Sequence, residues 1–119
     1  MFIRNLKDCA EFISGDGALL RELLNARKGH RRFGYSLAHA VLKPHRATRP
    51  HRLKSSEVYY LMKGRGRMHI DGGAAEVGPG DTVYIPPHSV QYIENTGRTD
   101  LVFLCIVDPA WQPEDEEIL

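Results

Sequence analysis

The sequence predicts a single all-β domain, a small barrel or sandwich. Short runs rich in β-branched and aromatic residues recur along the chain, and turns containing glycine or proline separate them. A length of 119 residues leaves room for one domain only. Because 42% of the residues are hydrophobic and 26% are charged, the composition excludes a disordered chain, a coiled coil and a collagen-like repeat.

The central part of the chain carries the predicted strands. The tripeptide Asp71-Gly72-Gly73 between two of them is typical of a β-hairpin turn. Strands are predicted near residues 36–42, 57–62, 66–70, 74–77, 82–85, 90–94 and 101–107. The spacing of eight to twelve residues between successive strands favours an all-β barrel or sandwich.

The two ends of the chain are predicted to differ from the barrel. Residues 1–30 are interpreted as an N-terminal extension, residues 31–109 as the barrel and residues 110–119 as an acidic C-terminal tail without regular structure. The four leucines between Leu19 and Leu24 form one apolar stripe on a short helix, and they also suit an edge strand. Trp111 in the tail is expected to pack against the barrel or against a second subunit.

Charge is unevenly distributed although the net charge is only +1. Nine Lys and Arg residues and no acid lie between Glu22 and Glu57, and five acids and no base lie from Asp108 onward. The basic stretch is interpreted either as an ordinary solvated surface or as a basic mouth that attracts an anionic small molecule. A nucleic-acid partner is not expected, because the chain has no helix-turn-helix, zinc-finger or RNP signature.

The cellular compartment is predicted from the absence of membrane, signal and disulfide patterns in the sequence. The chain contains no run of about 18 apolar residues, so neither a transmembrane helix nor a membrane partner is expected. No apolar segment follows the first eight residues, so a secretory signal is not expected either. Two cysteines, Cys9 and Cys105, make neither a disulfide framework nor a zinc ribbon, and the cytoplasm is therefore the predicted compartment.

Two sets of polar and turn residues follow one another at regular spacings. The first set is His45, His51, Leu53, Glu57 and Gly64, and the second is Gly80, Pro86, His88, Gln91 and Asn95. In a strand, residues two apart point the same way, so positions 51 and 53 are expected to face the barrel interior together. Glu57 opens the next predicted strand, and position 91 approaches from the second set.

This pattern resembles the two motifs of the cupin superfamily, whose spacings are all kept. Six of the ten motif positions hold the family residue: His51, Glu57, Gly64, Gly80, Pro86 and Asn95. His45 and His88 stand where the family has glycine, and Leu53 and Gln91 stand where it has metal-binding histidines. The resemblance covers about residues 36–107 and implies a small double-stranded β-helix, or jelly-roll barrel, with a short N-terminal extension.

The resemblance implies a metal site with a changed ligand set. The candidate ligands are His51, Glu57 and Gln91, and His39 is a fourth candidate because it lies among small apolar residues of a predicted strand. An imidazole, a carboxylate and an amide oxygen suit a divalent transition metal, namely Fe, Mn, Ni or Zn. The alternative is a buried His–carboxylate hydrogen bond without metal, with Gln91 pinning the barrel interior and His39 a structural histidine.

Further residues are candidates for ligand contact. Tyr59 shares the parity of Glu57 and is expected to line the cavity, where Leu53 makes the site smaller and drier. Near the mouth, the side chains of Arg46, Arg49 and Arg52 could hold a carboxylate or a phosphate.

Two small-molecule functions remain open at this point. A third possibility is a structural role in which the barrel serves as a dimerisation module. One is a metal-dependent cupin that binds or transforms a small polar or anionic metabolite, as the dioxygenases, decarboxylases and sugar-phosphate isomerases of the superfamily do. Mannose-6-phosphate isomerases of this superfamily include an amide among their ligands. The other is a metal-free small-molecule-binding or sensory module, suggested by Leu53 and Gln91. Because single-domain cupins commonly form dimers, the resemblance also implies a homodimer.

Overall fold

The computed structural model describes residues 1–29 and 32–119 and is built almost wholly from antiparallel strands. The predicted boundary between the extension and the barrel, at residues 30 and 31, lies outside the described residues. The strands are β1 Phe12–Ile13, β2 Leu19–Asn25, β3 Ser36–Leu42, β4 His51–Leu53, β5 Ser56–Lys63, β6 Gly66–Ile70, β7 Gly73–Val77, β8 Thr82–Ile85, β9 Gln91–Asn95, β10 Leu101–Asp108 and β11 Glu116–Ile118. Three short 3₁₀ helices span Leu6–Asp8, Ala26–Lys28 and Pro113–Asp115.

The strands form two sheets that enclose one core. The six-stranded sheet has the order β1-β2-β3-β10-β5-β8, and the five-stranded sheet has the order β11-β4-β9-β6-β7. Burial alternates along the central strands, as expected where one face of a sheet meets the core. The buried cluster consists of Ala40, Leu42, Tyr59, Leu61, Met68, Val77, Ile85, Ile93, Leu101, Phe103 and Cys105. The all-β barrel is therefore confirmed.

The leucine-rich N-terminal segment is a strand, not a helix. Strand β2 pairs with β1 on one side and with β3 on the other, and Leu20 lies opposite Ala40. Of the two alternatives left open by the leucine stripe, the strand is the one that occurs, because pairing with β3 satisfies the backbone groups of β2 within the sheet. The N-terminal extension thereby widens the barrel wall.

The C-terminal tail is more ordered than its sequence predicts. It contains a 3₁₀ helix and strand β11, which pairs antiparallel with β4 so that Ile118 lies opposite His51. The expectation of an irregular tail is wrong for this strand. Pairing of β11 with β4 is non-local and leaves no periodic signal in so short a segment.

The two histidines that replace motif glycines lie in turns with left-handed backbone. His45 has a φ of 63° and His88 a φ of 66°, and both side chains are exposed. The backbone thus keeps a conformation that glycine adopts most easily, although the residue has changed. No helix in the described residues is long and apolar enough to cross a membrane.

Candidate functional site

A cavity of about 300 Å³ lies inside the barrel and is lined by residues of both sheets. Its lining combines apolar side chains with a few polar ones at the position of the first motif. The motif residues in the wall are His51, Leu53 and Glu57, and Tyr59 lies beside them. A concave, mostly apolar space with a few convergent polar groups is the usual form of a small-molecule site.

His51 is held by backbone on one side and faces a carboxylate on the other. Its side chain is 3% exposed, and Nδ1 lies 2.7 Å from the carbonyl oxygen of Arg49. Because a carbonyl oxygen only accepts, Nδ1 carries the hydrogen of this bond. Nε2 then points toward Asp16, whose Oδ2 lies 3.7 Å away.

Glu57, Gln91 and Tyr59 form a buried hydrogen-bonded chain. The Tyr59 hydroxyl donates to Gln91 Oε1 over 3.1 Å, and Gln91 Nε2 donates to Glu57 Oε1 over 3.0 Å. Both polar atoms of the Gln91 amide are therefore occupied by protein partners. Tyr59 also packs against the ring of Phe103, with the ring centroids 4.6 Å apart.

The environment of Glu57 disfavours its charged form. Burial raises the pKa of Glu57 from its ordinary 4.5 to about 8, the Gln91 hydrogen bond opposes this, and the carboxylates of Asp16 and Glu116 add to it. Burial, together with the charge of Glu57, also holds the pKa of Tyr59 well above its ordinary value. Burial and neighbouring acids thus both disfavour the ionised forms of these two groups.

The chain matches the Cupin domain model over residues 38–107, which is more than half of its length. It belongs to the cupin family.

Relatives and solved structures agree with that assignment. An uncharacterized protein of Methanocaldococcus jannaschii is 42% identical over 111 residues, covering 91% of this cupin and 86% of the relative. A glucose-6-phosphate isomerase of Thermococcus kodakarensis is 34% identical over 97 residues, covering 77% of this cupin and 47% of the isomerase. The cupin therefore spans about half the length of that enzyme.

A crystal structure of a predicted oxalate decarboxylase from Thermotoga maritima superposes with a TM-score of 0.80 at 22% identity, covering 91% of this cupin and 99% of that chain. At this level of identity the similarity concerns the fold.

The donor set of this cupin does not fit a transition-metal centre with three protein ligands. Leu53, 4% exposed, lines the cavity at a ligand position of the motif. The only oxygen of the Gln91 amide accepts from Tyr59, and its nitrogen donates to Glu57. Across residues 1–29 and 32–119, no group of three or more His, Cys, Asp or Glu side chains is arranged to hold a metal ion.

His39 is not brought to the other candidate ligands. Its neighbours Ala38 and Ala40 line the cavity, so His39 points to the opposite face of β3, where it lies opposite Leu104 and Arg21. Partial burial, and the positive charge of Arg21, lower the pKa of His39. Small apolar neighbours gave no indication of which face the strand buries.

The three arginines predicted at the mouth lie outside the cavity wall. Arg46 and Arg49 are exposed, and the Arg52 guanidinium donates to the carboxylate of Glu117 at 2.8 and 3.1 Å. None of the three is among the cavity-lining residues. Arg49 contributes through its backbone instead, since its N–H donates to the carbonyl of Asp16 and its carbonyl accepts from His51.

Several cavity-lining residues come from the two ends of the chain. Asp16 and Glu22 belong to the extension, and Trp111 and Glu116 belong to the tail. Trp111 lines the cavity and its backbone N–H donates to Ser36 Oγ of β3, so it packs against the barrel, which is one of its two predicted alternatives. Of these four residues, only Trp111 is predicted from the sequence to contact the barrel.

Proposed function

We propose that this cupin is a metal-free small-molecule-binding or sensory module. The observation that carries the proposal is the Tyr59–Gln91–Glu57 chain, which satisfies the Gln91 amide and one oxygen of Glu57 without an ion. Leu53 supports it, because an apolar side chain replaces a donor at the same wall. Recognition would then rest on the shape of the cavity and on a few hydrogen bonds.

Metal analysis of the full chain, purified without an affinity tag, tests this function. We expect no stoichiometric transition metal and no change of melting temperature on addition of Fe, Mn, Ni or Zn. The double variant Leu53→His with Gln91→His should then bind one ion per chain, whereas the single variant Leu53→His should bind it more weakly. One ion per chain in the wild-type protein would overturn the proposal.

A metal-dependent enzyme is the second candidate. It is favoured by the His51 and Glu57 motif positions and by a relative named as a glucose-6-phosphate isomerase. In that case His51 and Glu57 would be the protein ligands, and the ion would supply Lewis-acid chemistry. The metal analysis described above separates the two candidates.

The proposal includes a homodimer in a reducing compartment. The outer face of the six-stranded sheet exposes Tyr60, Met62, Tyr84 and Ile106, which form an uncharged apolar patch. An uncharged patch can meet a second copy of itself across a two-fold axis without repulsion between like charges. Cys9 and Cys105 are both free thiols, which is compatible with the cytoplasm.

A further inference from the structure

The charged groups around the cavity are almost all of one sign. Carboxylates of Asp16, Glu22, Glu57 and Glu116 line it, and the described part of the wall includes no Lys or Arg. Lys28 lies outside this wall and pairs with Glu22 at 2.8 Å, which leaves three acids facing a single imidazole, that of His51.

The second oxygen of Glu57 is an unused hydrogen-bond acceptor. Oε1 accepts from Gln91, whereas Oε2 has no hydrogen-bond partner among the described residues. No described side-chain polar atom is both sealed from solvent space and unpaired, so Oε2 retains accessible surface. Since Glu57 is only 6% exposed and lines the cavity, that surface faces the cavity. Glu57 Oε2 thus faces the cavity, where a donor group of a ligand could reach it.

The remaining wall suits a compact apolar group. Aromatic and aliphatic side chains such as Phe12, Leu20 and Phe103 supply most of it. With about 30 Å³ for each water-sized group, the 300 Å³ cavity has room for about ten non-hydrogen atoms. A ligand of this size would place its apolar part against these side chains and its polar end near Glu57.

We propose that the cavity binds a small organic cation, a primary amine on an apolar body, whose ammonium group donates to Glu57 Oε2 and is attracted by the nearby carboxylates of Asp16 and Glu116. The inference rests on the proposed metal-free pocket and adds the class of its ligand. An ammonium group has three donors and no acceptor, which suits a described wall that carries carboxylates and no Lys or Arg. It would also relieve the repulsion among acids that the fold places together.

The positive charge proposed for the ligand is opposite to the negative ligand charge that the basic stretch of the sequence suggests. An anion would need cationic partners in the wall, and the described wall offers only His51, whose Nε2 already faces Asp16. It would also meet the three acids without compensation, which costs binding free energy.

Three probes of nearly equal shape and different charge test the inference by isothermal titration calorimetry on the full chain. They are 2-phenylethylamine, 2-phenylethanol and phenylacetate, which at neutral pH are a cation, a neutral molecule and an anion. We expect saturable binding of the amine, at least about tenfold tighter than that of the other two probes. Absence of amine binding, or equal or tighter binding of the carboxylate, would overturn the inference.

Neighbouring positions on β11 offer a matched control for the variants. Glu57→Gln and Glu116→Gln keep the side-chain shape and remove an ionisable carboxyl group that a bound ammonium group would favour in its charged form, and each should weaken amine binding by about tenfold. Glu117→Gln removes an exposed charge that pairs with Arg52 outside the cavity, and it should change binding by less than about twofold. Amine affinity that does not change in Glu57→Gln and Glu116→Gln would contradict the inference even if the amine binds.

These outcomes separate the ligand class from the proposed function. Preferred binding of the anion to metal-free protein would overturn the proposal of a cationic ligand. It would not contradict the proposal of a metal-free module. One transition-metal ion per purified chain would overturn the module itself, whichever probe binds.

Discussion

At the scale of single residues, the main feature is a carboxyl group that the fold makes difficult to ionise. Glu57 is buried, accepts one hydrogen bond from Gln91 and lies within the electrostatic influence of Asp16 and Glu116. Burial and like charge both favour its neutral form, and one amide donor is too weak to reverse them. Ionisation of Glu57 at high pH therefore destabilises the folded chain. In its ionised form the same carboxylate can accept a hydrogen bond from a ligand.

The pKa of Glu57 predicts how stability depends on pH. A carboxyl group whose pKa rises from 4.5 to about 8 on folding binds its proton more tightly in the folded chain. The contribution of Glu57 to the free energy of unfolding is most favourable below about pH 4.5. It falls by on the order of 4 kcal/mol as the pH rises to about 8.

Urea unfolding at a series of pH values measures this contribution against Glu57→Gln, which cannot titrate at this position. The stability of the wild-type protein should fall relative to that of the variant between about pH 5 and about pH 8. Two curves that stay parallel across this range would contradict the prediction.

The backbone geometry at Gly64 leads to a second prediction about a single residue, which concerns the stability of the chain. A Cβ at this position would lie 2.5 Å from the carbonyl oxygen of Asp100, and the backbone φ is 89°. Gly64→Ala should therefore lower the free energy of unfolding by about 3 kcal/mol, the sum of left-handed strain and steric overlap.

Gly72→Ala is the control, because Gly72 has a φ of 83° and no atom within 4 Å of its added Cβ. This variant should lose only about 1 kcal/mol, again measured by urea unfolding. Equal losses in the two variants would show that the contact with Asp100 is unimportant.

At the scale of elements, the ends of the chain complete the cavity. The turn between β1 and β2 brings Asp16 against His51, and the tail brings Glu116 and Trp111 to the same wall. The turn is held by an Asp16 side chain that accepts from the N–H of Ala18 and from the hydroxyl of Ser14. The cavity wall thus includes segments outside the residues that match the family model.

Loss of the Asp16 side chain is expected to loosen this turn. Asp16→Ala removes the acceptor for Ala18 and should destabilise the chain by about 1 kcal/mol, with faster hydrogen exchange at the Ala18 amide. Asp16→Asn keeps an acceptor oxygen and should retain slow exchange at that amide. An Ala18 exchange rate that is unchanged in Asp16→Ala would refute this role for the side chain.

At the scale of the whole molecule, one sheet carries apolar side chains on both of its faces. The inner face of the six-stranded sheet forms the core and the cavity wall, while the outer face exposes Tyr60, Met62, Tyr84 and Ile106. Neighbouring strands bring these side chains together, since Val58 lies opposite both Ile106 and Tyr84. Contiguous apolar surface of this kind is typical of an interface.

Light scattering at micromolar concentration should give the mass of a dimer. Tyr60→Glu and Met62→Glu place a charge in the patch and should shift the protein toward the monomer, because each substitution occurs twice across a two-fold interface. Thr96→Glu places the same charge at an exposed site outside this sheet and should leave the dimer intact. A monomeric wild-type mass would refute the dimer.

Local chemistry determined most of the strands, and hence the fold class. The alternation of apolar residues and the turn residues around Gly64 and Gly80 act over a few positions, so they can be read directly from the sequence. The motif spacing likewise placed His51, Glu57 and Gln91 near one another, and β4 pairs His51 with Gln91.

Only the tertiary structure decided which face each ambiguous strand buries and what the two ends of the chain contribute. Strand β3 places His39 outward although its neighbours are small and apolar, and β10 is apolar on both faces, so neither orientation follows from hydropathy. Asp16 reaches the cavity because the turn between β1 and β2 contacts Arg49, whose N–H donates to the Asp16 carbonyl, and Glu116 reaches it through the non-local pairing of β11 with β4. Because the charge within a cavity is a sum over distant segments, its sign emerged only when those segments were brought together.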